Sequence, residues 1–320
     1  SGLSRALPAP EVDAARARWH AGKHNCELII ELPSFGERAP TMTMDVRIAE
    51  LNLFPLKGCR GVALKEATLA ATGLQADGIG DREWVVVDAQ GEFLSQREHP
   101  KMALIEPRLT PASLLLKAPG MLLLDVPLAC EGDVTRVRVW NDEVSAVTQG
   151  EVADAWLSAF LGMPARLMRF DYQGTRLAAH RYTGAVDAPF KFADAFPLLV
   201  TTNASLAALN DRLQRQGSAA ATMARFRSNV VLDGPPEFEE DYFKLLRVGP
   251  IAIRPVKPCA RCSVPGVDPA TGEHSPRVTD ALAAMRATRD GVMFGVNAIV
   301  VEGAGGILRV GDAVEVELRF

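Results

Sequence analysis

The chain has 320 residues, a formal net charge of −4, 48% hydrophobic residues and 23% charged residues. This length suits about two domains, and the composition is that of an ordinary soluble globular protein. The negative net charge predicts no general attraction to nucleic acid or to acidic membranes, so any anionic ligand must be held by a local group of cations.

The cysteines and the apolar segments indicate where the protein works. Five cysteines are scattered along the chain, which favours a reducing compartment and a cytoplasmic protein over a secreted disulfide framework. No apolar run reaches the ~18 residues of a membrane span, so we expect none. Residues 1–43 lack the apolar core of a signal peptide, and we interpret them as an extension of unknown role. Only Cys26–Leu32 looks strand-like there, and Met42 or Met44 is the expected natural start.

Short β-rich segments fill the region from 44 to 164. A strand over 45–53 leads into a glycine-containing turn with Lys57 and Arg60, which is either a cradle for an anion or an ordinary surface turn. Trp84–Asp88 and Phe93-Leu94 form a predicted hairpin. Short strands at this spacing predict an antiparallel sheet or small barrel. Further strands are predicted at 103–105, 114–116, 121–126 and 134–139.

The hydrophobic period changes from that of a strand to that of a helix at Glu151. The apolar residues recur at helical spacing until Gly162-Met163-Pro164, which supplies a stop signal. The exit of this helix is the predicted boundary between an N-terminal domain, residues 44–164, and a second domain, residues 165–320.

The second half of the chain places polar residues next to predicted strands. The apolar strand that ends in Thr201-Thr202-Asn203 precedes a helix, so Thr202 or Asn203 is its expected N-cap. A helix start offers free N–H groups to an anion, although most such caps are purely structural. Arg227 and Asn229 precede the strand over 230–234 and suit a phosphate or the edge of a heterocycle. After the cysteine segment, a helix over 279–288, a strand over 298–302 and a final hairpin over 308–316 are expected.

The most informative segment is Val256–Glu273, where Cys259 and Cys262 form a C-x-x-C pair between prolines and glycines. We predict an ordered loop, in which Arg261 and Lys257 keep Cys262 ionised for binding a soft metal. A lone C-x-x-C is also typical of half a zinc knuckle, a redox dithiol or a chance pair. A structural zinc site would have to recruit distant ligands from the set Cys59, Cys130, His180 and His274.

Several separated motifs, taken in order, resemble one family. They are Phe54-Pro55-Leu56-Lys57-Gly58, Gly80-Asp81-Arg82, Phe192-Ala193-Asp194, Thr202-Asn203-Ala204-Ser205-Leu206, Phe226-Arg227-Ser228-Asn229-Val230-Val231, Lys257-Pro258-Cys259-Ala260-Arg261-Cys262, Val267-Asp268-Pro269-Ala270-Thr271-Gly272 and Phe294-Gly295-Val296-Asn297. Over residues 44–320 this order resembles the MOSC-domain molybdoenzymes with an N-terminal β-barrel (MOSC_N) domain, which include the bacterial YcbX type and the mitochondrial amidoxime-reducing components.

The resemblance implies a fold, a cofactor and a reaction. The expected fold is mixed α+β and predominantly β, with an N-terminal β-barrel-like domain followed by a MOSC β-barrel domain and a few flanking helices. The implied cofactor is the molybdenum cofactor, molybdenum on molybdopterin, with Cys262 as both metal ligand and catalytic residue. The implied reaction is two-electron abstraction of oxygen from N-hydroxylated substrates such as amidoximes, hydroxylamines and N-hydroxylated bases. Residues that match the family's cofactor contacts are Lys57, Arg82, Thr202, Asn203, Arg227, Asn229, Arg261 and Asn297.

The resemblance also implies a partner and leaves alternatives open. Some YcbX-type chains continue into a ferredoxin-like domain, whereas this sequence stops at Phe320, so a separate electron-transfer protein of ferredoxin or flavoprotein type is expected. Gly58, Ser228 and the segment 263–266 depart from the family's usual residues. The alternatives are a non-redox sulfur carrier or a cofactor-binding module that uses Cys262, and a structural zinc protein.

Overall fold

The computed structural model describes residues 45–129 and 131–319. The expectations for residues 1–43, including the strand at Cys26–Leu32, and for Cys130 lie outside the described residues. Met44–Phe320 forms one compact unit, and its fold is mixed α+β with mostly strands, as the sequence predicts. The helices are α1 (Glu151–Leu161), α2 (His180–Thr183), α3 (Asn203–Arg215) and α4 (Arg277–Arg286).

Strands account for most of the regular structure. In chain order they are β1 (Arg47–Leu53), β2 (Val62–Leu64), β3 (Glu66–Ala70), β4 (Gly73–Ala76), β5 (Ile79–Gly80), β6 (Trp84–Val87), β7 (Glu106–Leu109), β8 (Ser113–Lys117), β9 (Leu124–Pro127), β10 (Val134–Val139), β11 (Asp142–Thr148), β12 (Arg166–Phe170), β13 (Leu198–Thr202), β14 (Val230–Asp233), β15 (Phe243–Val248), β16 (Ile251–Arg261), β17 (Ala287–Thr288), β18 (Gly291–Glu302), β19 (Ile307–Arg309) and β20 (Glu315–Leu318).

The strands form four sheets. The largest has nine strands, in the order β2-β1-β14-β13-β18-β16-β15-β20 with β17 paired to β18. The smaller sheets are β10-β11-β12-β6, β19-β3-β4-β5 and β7-β8-β9. No sheet closes on itself through hydrogen bonds within residues 45–129 and 131–319, so the closed barrels that the sequence suggested are open sheets instead.

Strands from before and after residue 164 share three of these sheets. β1 pairs with β14, β6 pairs with β12, and β3 pairs with β19. The division into residues 44–164 and 165–320 remains a prediction, and these hydrogen bonds join the two segments at three places. A site can therefore draw rigidly placed residues from both segments.

β6 is apolar throughout because both of its faces pack against apolar clusters. All four of its residues are buried. Successive side chains of a strand point to opposite faces, and Trp84 and Val86 belong to the largest apolar cluster while Val85 and Val87 belong to another. With both faces covered, β6 is a rigid support for the Gly80–Glu83 turn that precedes it.

The helix signals of the sequence are confirmed in part. α1 ends at Gly162, whose φ of 75° is the left-handed conformation that glycine favours. Thr202 caps α3 by accepting a hydrogen bond from the Ser205 N–H. The strand predicted at 103–105 is wrong: Pro100–Leu104 forms a 3-10 helix, because a proline at the first position favours a helical start. No helix among the described residues is long and apolar enough to cross a membrane.

The cysteine segment differs from the predicted loop. β16 continues through Cys259 to Arg261 and pairs with β18. Its prolines are accommodated because the register shifts next to Pro255 and next to Pro258, and bulges are where a strand tolerates a residue without an N–H donor. The predicted final hairpin is also wrong, since β19 pairs with β3 and β20 pairs with β15.

Candidate functional site

A cavity of about 300 Å³ brings together most of the residues that the sequence singled out. This volume lies at the lower end of the range for small-molecule sites, about 300–1,000 Å³. The predicted residues that line it are Lys57, Arg82, Arg227, Asn229, Arg261, Cys262 and Asn297. Residues that the sequence did not single out as ligand contacts also line it, among them Phe93, Gln96, Arg97, Trp140, Asp194, Lys257 and Cys259.

Arg82 is fixed at one side of the cavity by a buried carboxylate. Asp81 pairs with the Arg82 guanidinium, and its other oxygen accepts hydrogen bonds from the Phe54 N–H at 3.0 Å and the Asn229 side chain at 2.9 Å. Arg82 also donates to the Asn229 side-chain oxygen at 3.1 Å. Because a carboxylate and an amide hold it from two sides, the guanidinium cannot swing away from the cavity.

Asn229 is therefore a positioning residue in this structure. Its amide group donates to Asp81 and to the Asn52 carbonyl at 3.2 Å, and its oxygen accepts from Arg82 and from the Leu199 N–H at 3.1 Å. A carboxamide has two N–H donors, so both are already engaged, and the side chain is 1% exposed.

Two guanidinium groups flank one aromatic ring. The Cζ atoms of Arg82 and Arg227 lie 4.5 Å and 4.4 Å from the ring centroid of Phe54, which is buried. Arg227 donates to the Cys59 carbonyl and has a φ of 57°, a conformation that is uncommon for a non-glycine residue. Burial, with the nearby charge of Arg82, lowers the pKa of Arg227 to about 10. Two partly desolvated cations held this close form a favourable position for an anion.

Lys57 and Asp194 form an ion pair at another part of the cavity wall. Asp194 accepts from the Lys57 ammonium and from the Trp140 indole N–H at 2.9 Å. Burial lowers the pKa of Lys57, against the opposing effect of Asp194. Burial alone would raise the pKa of Asp194, but the charge and hydrogen bond of Lys57 outweigh it and hold that pKa well below its usual range. The Asp194 carboxylate, which lines the cavity, is therefore ionised.

The two thiols of the C-x-x-C pair have different surroundings. Cys259 and Arg261 are two residues apart on β16 and so share a face, and the Arg261 guanidinium lies 3.1 Å from the Cys259 sulfur. Arg261 also donates to the Phe226 carbonyl at 2.8 Å. Cys262 follows the end of β16 and is exposed. The contact that the structure gives Arg261 is therefore with Cys259, and the expected effect of Arg261 on Cys262 remains a prediction.

Lys257 and Asn297 face each other across β16 and β18. They are register partners, and the Asn297 side chain approaches the Lys257 carbonyl at 3.4 Å. The Lys257 ammonium lies 3.4 Å from the Tyr182 hydroxyl and 4.8 Å from the centre of its ring. These contacts leave the ammonium group at the cavity lining with no carboxylate partner among residues 45–129 and 131–319.

Thr202 and Asn203 do not line the cavity. The cavity contacts β13 at the start of the strand, at Leu198 and Leu199. Thr202 is four residues after Leu198, which places it about 13 Å further along the strand. The Thr202 hydroxyl caps α3, and the Asn203 side chain donates to Asp233 at 2.7 Å. The chain reaches the cavity earlier, through Ala193–Phe196. The helix cap at the far end of β13 and the contact with Asp233 account for this polar pair without a ligand.

Asp194, Trp140 and Arg97 also line the cavity, and the sequence motifs assign none of them a role. Asp194 ends the motif Phe192-Ala193-Asp194. Trp140 and Arg97 come from turns that carried no ligand-binding pattern, and only the pairing of β10 with β11 brings Trp140 to the cavity. Among the described residues no group of three or more His, Cys, Asp or Glu side chains is arranged to hold a metal ion.

The chain matches two family models and several characterised proteins. Residues 45–164 match the MOSC N-terminal beta barrel domain and residues 187–315 match the MOSC domain. Mitochondrial amidoxime reducing component 2 from Bos taurus is 30% identical over 230 residues, covering 70% of this chain and 67% of that protein. Mitochondrial amidoxime-reducing component 1 from Homo sapiens is 31% identical over 70% of this chain and 67% of its own length.

A third relative extends the family beyond these reductases. Molybdenum cofactor sulfurase from Homo sapiens is 30% identical over 268 residues, covering 78% of this chain and 29% of that protein. The two domain matches and the relatives at about this identity agree with each other along most of the chain. This chain belongs to the family of proteins that combine a MOSC_N domain with a MOSC domain, to which the mitochondrial amidoxime-reducing components are related.

Proposed function

We propose that this protein is a molybdenum-cofactor-dependent reductase of N-hydroxylated compounds. The reaction is R–NH–OH + 2 e⁻ + 2 H⁺ → R–NH₂ + H₂O, with the electrons coming from a separate donor protein of ferredoxin or flavoprotein type. The observation that carries this proposal is the convergence of Lys57, Arg82, Arg227 and Arg261 on one cavity that also exposes the Cys262 thiol. The relatives named for amidoxime reduction support the choice of substrate class.

The residues present fit an anionic cofactor with a thiol-ligated metal. The cavity concentrates guanidinium and ammonium groups in a chain whose net charge is negative, and such groups bind phosphate and other anions through charge-assisted hydrogen bonds. The Nε atom of Arg261 is buried and has no hydrogen-bond partner among the described residues. A buried donor without a partner is costly, so it favours a ligand that supplies an acceptor.

Each residue has a proposed role. Arg82, Arg227 and Arg261 hold the anionic parts of the cofactor, and Cys262 ligates molybdenum, a role for which a soft thiolate is suited. Lys57 and Asn297 are proposed as further contacts. When bound, the cofactor supplies the two-electron redox chemistry, and the protein supplies orientation and charge. Thr202 and Asn203 are left out of this set, and Asn229 acts by positioning Arg82.

The direct test is turnover. Protein purified from a host that makes the molybdenum cofactor should reduce an aryl amidoxime to the amidine with a low-potential artificial electron donor. The control is the same protein from a host that cannot make the cofactor, which should be inactive. A molybdenum-loaded protein that reduces no amidoxime, hydroxylamine or N-hydroxylated base would refute the proposal.

A second candidate function is a non-redox sulfur carrier that uses Cys262. The exposed Cys262 thiol and the similarity to molybdenum cofactor sulfurase favour it. Here the thiol would carry a persulfide rather than ligate a metal. Mass spectrometry of protein incubated with a cysteine desulfurase and cysteine distinguishes the two, because a carrier gains one sulfur atom on Cys262 and a metal-ligating cysteine in the loaded protein does not.

A further inference from the structure

Arg97 lines the cavity as a cation with no protein partner for its charge. Within residues 45–129 and 131–319 it takes part in no hydrogen bond or ion pair, and its contact is with an aromatic ring, since its Cζ lies 4.4 Å from the centre of the Trp140 indole. A guanidinium stacked on a ring keeps its N–H groups free at the edge, where they match the two oxygens of a carboxylate or phosphate.

Trp140 has a strained backbone, and several contacts hold its side chain in place. It is the first residue of the two-residue turn between β10 and β11, with a φ of 57°. A bulky residue in this conformation costs about 1–3 kcal/mol, and such strain is kept mainly at functional sites. The indole N–H donates to Asp194 at 2.9 Å, and the Phe93 ring packs against the indole with 4.6 Å between centroids. These contacts fix the surface on which Arg97 lies.

The other arginines of the cavity are engaged by the protein. Arg82 pairs with Asp81, Arg227 with the Cys59 carbonyl, and Arg261 with Cys259 and Phe226. They form the group assigned above to the anionic cofactor. Arg97 instead stands beside Phe93 and Trp140, whose rings suit a planar organic group. Arg97 and Trp140 are stacked, Trp140 contacts Phe93, and all three residues line the cavity.

Building on the proposed reductase function, we propose that Arg97, oriented by Trp140, is a subsite for a carboxylate or phosphate carried by the substrate. The protein then prefers N-hydroxylated substrates that bear a negative charge. Trp140 is a positioning residue, since it acts through Arg97, and Arg97 makes the contact with the anion.

The test compares an aryl amidoxime with the same compound carrying a para carboxylate. The wild-type ratio of kcat/KM, carboxylated over neutral, should be about tenfold or more, the effect of one charge-assisted hydrogen bond. Arg97→Gln should bring this ratio close to unity, Arg97→Lys should retain part of it, and Trp140→Phe should reduce it. Arg108 is exposed on β7, and Arg108→Gln should leave the ratio at the wild-type value.

A binding measurement makes the test independent of turnover. Calorimetric titration with the carboxylated amidine product should give a Kd about tenfold or more weaker in Arg97→Gln than in the wild type. Equal wild-type kcat/KM for the two amidoximes would overturn the subsite. Loss of molybdenum and pterin from Arg97→Gln would also overturn it, because the anion would then belong to the cofactor. A loaded wild type that turns over neither compound but binds the carboxylated amidine through Arg97 would refute the reductase function and leave the anion subsite standing.

Discussion

The guanidinium of Arg261 lies 3.1 Å from the sulfur of Cys259, two residues before it on β16. The two thiols of the C-x-x-C pair are thereby distinguished by the geometry of β16. Cys259 is held against a cation that also binds the Phe226 carbonyl, whereas Cys262 emerges beyond the strand with its thiol exposed. Under the proposed function, the exposed Cys262 is the thiol that ligates the metal.

Replacing each cysteine separately should therefore give different results. Cys262→Ser should remove reductase activity and bound molybdenum, because a hydroxyl is a poor ligand for a soft metal. Cys259→Ser should retain measurable activity and metal, since its contact with Arg261 is not needed for ligation. Metal analysis and amidoxime turnover of both variants provide the comparison, and equal losses in the two would contradict the assigned roles.

Phe54 should contribute more to stability than its apolar area alone, because two guanidinium groups lie on its ring. Phe54→Leu should lower the free energy of unfolding by about 2 kcal/mol more than Phe243→Leu does. Phe243 is a matched control, since it is fully buried in the apolar core. Urea denaturation of both variants measures the difference. Equal destabilisation would show that the stacking of Arg82 and Arg227 adds nothing.

The buried Glu83 supports the turn that carries Arg82. Its carboxylate pairs with Lys191 and with Arg169, and it accepts a hydrogen bond from the Gly80 N–H at 2.8 Å. Lys191→Met removes one partner of a buried pair, which should lower the free energy of unfolding by about 3–5 kcal/mol.

A surface ion pair provides the control for Lys191→Met. Lys244 and Glu317 are 3.5 Å apart and both largely exposed, so Lys244→Met should change stability by less than about 1 kcal/mol. Chemical denaturation measures both variants. Similar small effects at the two positions would contradict a structural role for the Glu83 pair.

Glu240 should make stability depend on pH near neutrality. Its side chain is fully buried, and burial raises its pKa from 4.5 to about 7, although Ser205 and Thr202 donate hydrogen bonds to it. Because the folded-state pKa lies above the unfolded one, the stabilisation is fully present below about pH 4.5. It is lost as the pH rises through about 7, and the loss is on the order of 3 kcal/mol.

Glu240→Gln should remove this dependence. At pH 8 the variant should be more stable than the wild type, because it buries no charge, and the advantage should disappear at pH 5. Denaturation at the two pH values measures the effect, and Glu237→Gln, at an exposed position, should follow the wild-type profile. A wild type whose stability does not fall between pH 5 and pH 8 relative to Glu240→Gln would contradict the raised pKa.

Local patterns predicted the elements that depend on near neighbours. The helical period after Glu151, the glycine at its end and the cap at Thr202 needed only adjacent residues, and the structure contains all of them. The open sheets were not predictable in this way, because the pairing of β1 with β14 and of β3 with β19 joins residues far apart in the chain. The hydrophobic period of a segment indicates that it is a strand, but it does not indicate which other strand pairs with it.

The candidate site likewise contains residues that local motifs identified and residues that they did not. Lys57, Arg82, Arg227 and Cys262 were found through motifs, and they line one cavity. Thr202 and Asn203 were predicted from a helix-start pattern and from the family resemblance, and neither of these tells which end of β13 faces the cavity. Trp140 and Arg97 carried no local signal, since their importance comes from a hairpin and a turn that meet only in three dimensions.

The most direct test of the account is the cofactor content of the purified protein. Protein made in a host that synthesises the molybdenum cofactor should contain molybdenum and release oxidised pterin, both equimolar with the chain. An Arg82→Gln, Arg227→Gln double variant that is still folded should contain much less of both. Zinc in place of molybdenum, or a wild type without pterin from such a host, would contradict the proposal that this cavity holds the cofactor.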